Sequence, residues 1–98
     1  MATYTASNAK TITLSNGVVD TVTLTSPGDN IVFSITANHK PIYYTVGNPG
    51  QTIPNPTVEG DNCFVADYQN SVSQHWNGGA LTIKMIAAGT PTVTVMIH

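Results

Sequence analysis

Apolar and hydroxyl-bearing residues alternate along residues 11–25, which read TITLSNGVVDTVTLT. Successive side chains of a β-strand point to opposite faces, so alternation at period two predicts strands with one buried face. The same pattern returns at residues 92–97, TVTVMI. We therefore predict an all-β protein, a compact β-sandwich or small β-barrel of about seven to eight short antiparallel strands.

The dipeptide Asn16-Gly17 interrupts this alternation and is typical of a tight hairpin turn. The side-chain parity does not fit a simple hairpin, however, because direct pairing would place Leu24 on the opposite face from Leu14. A longer loop would correct the parity, as would a β-bulge or the placement of the two strands in different sheets. A bulge or a sheet switch is favoured, because Asp20 stands where the buried face should be apolar.

Other alternating segments predict the remaining strands, at residues 31–37, 42–46, 63–66, 72–76, 81–87 and 93–97. Phe33 and Ile83 are predicted core residues, because each lies centrally in its strand with similar neighbours two positions away. Residues 1–8 are predicted to be a flexible N-terminal arm, and residues 9–98 a single β domain.

Charged residues make up only 8% of the chain, the net charge is −2, and arginine is absent. A nucleic-acid partner is not expected, because phosphate binding requires clustered lysine and arginine. The chain shows no signal-peptide core and no apolar run of about 18 residues, so we expect a protein made in the cytoplasm without a membrane contact. A single cysteine, Cys63, excludes an intrachain disulfide and is predicted to be a small buried side chain.

Residue types that carry catalysis or bind metals are present but lack a recognisable spacing. His39, His75 and His98 are too scattered to predict a metal site. Asp61 and Asp67 flank a predicted strand, where aspartates usually bond their own turn backbone. No nucleophile motif occurs. The sequence therefore predicts a protein that is not an enzyme and has no catalytic, metal or cofactor site.

Adjacent aromatic residues leave a second function class open. Tyr43 and Tyr44 must face opposite sides of a strand, as must His75 and Trp76. An outward ring near Trp76 would stack on a sugar, so a carbohydrate-binding or adhesion module, such as a head-fibre or tail component, is the alternative function. Core packing of Tyr44 and Trp76 is the competing interpretation.

Residues 47–62, GNPGQTIPNPTVEGDN, hold three prolines and three glycines and show no strand pattern. Irregular connections of this length are uncommon in compact domains unless they have a function. The alternative is a crossover between the two sheets of a sandwich. If the segment and the N-terminal arm bind a partner, the candidate contact residues are Asn48, Pro49, Gln51, Ile53, Pro54, Pro56 and Tyr4.

Five segments carry a resemblance to a known group: AKTITL at 9–14, VVDTVTL at 18–24, PIYYTV at 41–46, PTVEGDNCFV at 56–65 and AGTPTVTV at 88–95. Through them the chain resembles the small capsid decoration and minor capsid proteins in the virions of tailed bacteriophages, particularly those of actinobacterial hosts. The segments are strand and turn residues without a catalytic signature. Residues 67–76, DYQNSVSQHW, do not match the group.

The resemblance implies a β-sandwich or β-barrel protein on the capsid surface of a virion. Such a protein binds the outside of the head shell and stabilises it through contacts with the major capsid protein or another virion protein. The resemblance also implies a homo-oligomer, with a trimer favoured, and no cofactor. Other phage roles, in a tail or head fibre, stay open at this point.

Overall fold

The computed structural model describes residues 2–25, 31–37, 41–48, 51–66, 72–76 and 80–97, with the backbone alone at 31–33, 37 and 72–76. No described residue is helical. The described strands are β1 Thr3–Ala6, β2 Ala9–Thr13, β3 Asp20–Leu24, β4 Ile31–Ala37, β5 Ile42–Gly47, β6 Phe64–Ala66, β7 Val72–Trp76, β8 Leu81–Ile86 and β9 Thr92–Ile97.

The strands form two sheets that share one core. The five-stranded sheet has the order β1-β3-β8-β5-β6, and the four-stranded sheet has the order β2-β9-β4-β7. Apolar side chains from both sheets form one buried cluster: Ile12, Leu14, Val22, Leu24, Ile35, Ile42, Tyr44, Ala66, Leu81, Ile83, Met85, Ala87, Val93 and Val95. The predicted all-β sandwich is confirmed. Ile83 is a core residue as predicted, whereas the side chain of Phe33 lies outside the described part.

The N-terminal segment departs from the predicted flexible arm. Thr3–Ala6 forms strand β1, which runs parallel to β3 and is the one parallel neighbour among the described strands. The pairing is extended by the N–H of Thr21, which donates to the Ala2 carbonyl over 2.9 Å. Four residues are too few for alternation to identify a strand from the sequence. These residues are held in place by the edge of β3, whose backbone groups supply the hydrogen bonds that water would otherwise make.

The parity problem at Asn16-Gly17 is resolved by a change of sheet. The N–H of Val18 donates to the Ser15 carbonyl over 3.1 Å, so a turn forms, and Gly17 has φ +69°, which suits glycine. β2, before the turn, belongs to the four-stranded sheet, and β3, after it, belongs to the five-stranded sheet. The chain therefore turns from one layer to the other, and Leu24 faces the core.

Asp20 is the exception on the apolar face of β3. Its side chain is only 3% exposed, and its Oδ1 accepts a 2.9 Å hydrogen bond from the N–H of Ala2. Burial of a carboxylate is costly unless donors reach it. Asp20 therefore holds the start of β1 against the sheet, and the polar residue on the apolar face has a structural partner far away in sequence.

We expect Asp20→Ala to lower the free energy of unfolding by roughly 1–3 kcal/mol, because the half-buried Ala2 donor loses its acceptor. Asp20→Asn keeps an oxygen at the same place and should cost less. Denaturant unfolding measures both values, with the exposed Asp61→Ala as the control, which should stay within about 0.5 kcal/mol of the parent. If Asp20→Ala matches the parent, this hydrogen bond does not anchor β1.

Burial of Tyr44 lowers the stability of the folded state at alkaline pH. Its side chain is 1% exposed, and burial raises the pKa of its hydroxyl, because the phenolate would lose hydration. The folded state thus keeps the proton to higher pH than the unfolded chain does, so the contribution is present below about pH 10 and lost as pH rises through the folded-state pKa. Tyr44→Phe should reduce the loss of unfolding free energy as the pH rises above about 10. Denaturant unfolding at a series of pH values checks this, with Tyr4→Phe as the control; an unchanged pH profile in Tyr44→Phe would contradict it.

Candidate functional site

The long connection joins neighbouring strands of one sheet. It leaves β5 and returns as β6, which pairs antiparallel with β5 in the register Tyr43↔Val65. The alternative interpretation of this connection as a crossover between the sheets is therefore wrong. Residues 51–62, here called the covering segment, fold back onto the outer face of the five-stranded sheet and contact β5 and β8.

The contact with β8 is made by Lys84. This residue lies between the inward-facing Ile83 and Met85, so its side chain leaves the outer face of the sheet. Its Nζ donates to the Ile53 carbonyl over 3.0 Å and to Asn55 Oδ1 over 3.1 Å. Hydrogen bonds from a charged donor are stronger than neutral ones. Lys84 therefore fixes the backbone of the covering segment above β8.

The contact with β5 combines a hydrogen bond with close packing. Thr45 Oγ1 donates to the Pro54 carbonyl over 2.6 Å. At the end of β5, a Cβ on Gly47 would lie 2.8 Å from Ile53 Cγ1, so the absence of a side chain there admits Ile53. Pro56 is buried. The first half of the covering segment thus packs on its own sheet as a third layer.

The burial of outward-facing residues shows how complete this layer is. Thr45, Thr82 and Ile86 point away from the core, yet they are only 5%, 7% and 7% exposed. The Thr82 hydroxyl is paired with that of Thr23 at 3.1 Å. Strands β5 and β8 are therefore largely covered on both faces, with Tyr43 and Lys84 half-buried, in contrast to the half-buried strands that the sequence predicts.

The second half of the covering segment turns over the Tyr43 ring. Gly60 has φ +77°, and a Cβ there would meet Tyr43 Cε1 at 3.2 Å. The Gly60 N–H donates to the Thr57 carbonyl over 2.9 Å, and Cys63 Sγ lies 3.7 Å from the same oxygen. Cys63 is half-buried, so it is less enclosed than predicted.

The predicted partner-binding residues of the connection divide into two groups. The side chains of Gln51 and Pro54 are exposed, whereas Ile53 packs beside Gly47 of the protein's own sheet and Pro56 is buried. The half-buried Asn48 donates its N–H to Gln51 Oε1 over 2.8 Å, which holds the start of the segment. The sixth predicted residue of the connection, a proline at position 49, lies outside the described residues.

The structure does not bring Tyr4 to these residues. Tyr4 lies on β1, the edge of the five-stranded sheet opposite β6, and packs against the core. Lys10 Nζ lies 5.5 Å from the centroid of its ring, a cation–π geometry. Tyr4 and Lys10 thus cover the side of the sandwich where β1 continues into β2, and they form no surface with the covering segment.

An apolar surface beside the covering segment was not predicted from the sequence. Val58, Phe64 and Val65 are 36%, 53% and 48% exposed, and Met96, on the other sheet, is 40% exposed. The Phe64 ring centroid lies 5.6 Å from that of the buried Tyr44. The sequence did contain a signal for this surface. Consecutive apolar residues in a short strand must expose one side chain when only one face meets the core.

The other sequence candidates receive little support from the structure. Tyr44 is buried as predicted, and Tyr43 is half-buried beneath Gly60. The side chains of His75 and Trp76 lie outside the described part, as do the two other histidines, at positions 39 and 98, and the aspartate at position 67. In the part of the chain that the structure describes, no three metal-ligating side chains come together. The described residues include no helix, and hence none that is long and apolar enough to span a bilayer.

Comparison with known proteins supports the fold alone. No protein-family model matches the chain, and no curated protein does. The pre-peptidase C-terminal domain of a collagenase from Bacillus anthracis is similar over 100% of this chain and 95% of its own, with a TM-score of 0.61 and 11% identity. A mutant of a periplasmic inhibitor of g-type lysozyme from Escherichia coli is similar over 99% and 98%, with a TM-score of 0.61 and 10% identity.

A pair of glycine substitutions separates the packing of the covering segment from backbone strain. Gly17 and Gly60 both have positive φ, but a Cβ on Gly17 would meet nothing within 4 Å. Gly17→Ala should therefore cost roughly 1 kcal/mol from conformation alone. Gly60→Ala should cost more, because the methyl group also displaces Tyr43. Equal losses in denaturant unfolding would show that the segment is not packed on Tyr43.

Proposed function

We propose that this chain is a structural protein of a bacteriophage virion, a capsid decoration or minor capsid protein that binds the outside of the head shell. It stabilises the shell through contacts with the major capsid protein or another virion protein, and it self-associates, with a trimer favoured. In this role the chain catalyses no reaction. The resemblance of residues 9–14, 18–24, 41–46, 56–65 and 88–95 to such proteins suggests the role.

The observation that carries a protein-binding role is the fixed conformation of the covering segment. An irregular, proline-containing segment normally loses conformational freedom when it docks. Here Lys84 and Thr45 already hold its carbonyl groups in place, and Ile53 anchors it beside Gly47. The exposed side chains of Gln51 and Pro54 are thus presented at little further entropic cost.

The low charge of the surface also favours contact with protein. Outward-facing threonines replace charged residues on the four-stranded sheet, where the hydroxyls of Thr11 and Thr94 pair at 2.9 Å. Such a surface attracts charged ligands weakly and can be covered without desolvating many ions. Binding to the shell should therefore weaken by less than about tenfold between low and moderate salt.

A carbohydrate-binding or adhesion module is supported less well by the described side chains. Tyr44 is 1% exposed and belongs to the core, and Gly60 lies on the ring of Tyr43. Tyr44 therefore presents no free face for stacking on a sugar, and the half-buried Tyr43 ring is partly covered. The collagenase domain and the lysozyme inhibitor share the fold at 11% and 10% identity, so neither supplies a partner for this chain.

The test is to add the purified protein to head shells that lack it and to measure binding and its stoichiometry by sedimentation. We expect saturation at a simple ratio to the capsid subunits. Thr52→Arg and Pro54→Arg place a charge on exposed positions of the covering segment and should weaken binding at least about tenfold. Thr13→Arg, on the exposed outer face of the four-stranded sheet, is the matched control.

Two outcomes would contradict the proposal. Absence of saturable binding to shells excludes the decoration role. Equal binding by the parent, Thr52→Arg and Pro54→Arg variants, all folded by circular dichroism, would show that the covering segment is not the contact surface.

A further inference from the structure

We propose that β6, together with the acidic turn that precedes it, binds an extended segment of the partner protein. This segment adds to the five-stranded sheet as a further strand beside β6 and carries apolar residues with at least one lysine or arginine. The inference deepens the proposed function and rests on it for the identity of the partner.

The first argument is the position of β6. It is an end strand of its sheet, and none of the described strands pairs with it on the side away from β5. The opposite end is different, because β1 continues into β2 of the other sheet and the Ile97 N–H donates to the Asn8 carbonyl over 2.9 Å at that corner. An unpaired strand edge is a template for another extended chain.

The second argument is the exposure of apolar side chains on both faces of this edge. Phe64 is 53% exposed and lies on the same face of β6 as the buried Ala66. Val65, on the other face, is 48% exposed. Edge strands of isolated proteins are protected by charges, by prolines or by being short, and β6 has only the last of these, since it is three residues long. An added strand with apolar residues would cover both side chains.

The third argument is that the edge is already held in its shape. The Phe64 ring packs on Tyr44, and the preceding turn is fixed by Gly60 over Tyr43 and by the Gly60–Thr57 hydrogen bond. A partner would therefore meet a preformed strand edge, which reduces the entropic cost of association.

Charge complementarity identifies the chemistry of the occupant. Glu59 and Asp61 are both exposed in the turn that leads into β6. Residues 53–71 contain no lysine or arginine, and Lys84 Nζ is already bonded to the covering segment. A second copy of β6 would bring no cation to these carboxylates. A partner strand with a basic residue would bring one, so a different polypeptide is the occupant that fits.

The experiment uses two capped pentapeptides, Val-Lys-Val-Lys-Val and Val-Glu-Val-Glu-Val, as probes for the full chain followed by NMR. The basic peptide should shift the amide signals of Phe64–Ala66, slow hydrogen exchange at least about tenfold at saturation for the amides that point away from β5, and leave β1 and β2 unchanged. The acidic peptide should have no effect. Glu59→Gln with Asp61→Asn should weaken the basic peptide about fivefold, as expected for exposed charge pairs.

Substitution at the strand tests the same surface with shells. Val65→Lys should weaken binding of both the basic peptide and the shells at least about tenfold. Met96→Lys makes the same change at an exposed apolar position of the other sheet and should bind like the parent. If the parent does not bind shells, the proposed function fails, and the peptide experiment still decides the strand addition.

Three results would overturn the inference. One is no shift of β6 amides at millimolar basic peptide, or equal shifts at β1 and β2. Another is full binding of peptide and shells by a folded Val65→Lys variant. The third is a parent dimer in sedimentation that Val65→Lys converts to monomer, because the occupant of β6 would then be a second copy.

Discussion

The structure depends on one constraint, the covering of β8 on both of its faces. A strand covered on both sides has little access to water, so its outward polar groups need partners within the protein. Thr82 pairs with Thr23, and Lys84 reaches the Ile53 carbonyl and Asn55. The position of the covering segment follows from these requirements. So does the fixed turn before β6, since the segment that covers β8 must return to the sheet beside β5.

The sequence predicted most of the strands because they are half-buried and alternate. The parity argument at Asp20 favoured either a bulge or a change of sheet between β2 and β3, and the structure has the change of sheet. The partner of Asp20 could not be predicted, because it is a backbone N–H 18 residues away. The third layer could not be predicted either, since Lys84 and Ile53 are 31 residues apart. The segment LTIKMI alternates at Thr82 and Lys84 like a half-buried strand, so only the adjacent Met85 and Ile86 indicated locally that an outward position of β8 is covered.

The two sheets have few charged residues on their outer faces, and each face is made compatible with water in a different way. On the five-stranded sheet, the covering segment removes much of the outer surface from water. On the four-stranded sheet, the strands expose threonines instead, including Thr13 and Thr92, whose hydroxyls lie 3.5 Å apart. Hydroxyl groups hydrate the surface, and the β-branched carbon suits the strand conformation. Most of the exposed large apolar side chains therefore lie in β6 or in the turn before it, where recognition is proposed.

The place of β9 in its sheet has a consequence for the order in which the newly made chain folds. β9 is the last described strand in chain order, yet it lies between β2 and β4. Among the described strands, only β5 and β6 are neighbours both in sequence and in the sheet. A nascent chain can close that local ladder early, but the four-stranded layer must wait until β9 has left the ribosome. Folding of this layer thus depends on long-range pairings, which make it slow relative to a helical protein of the same size.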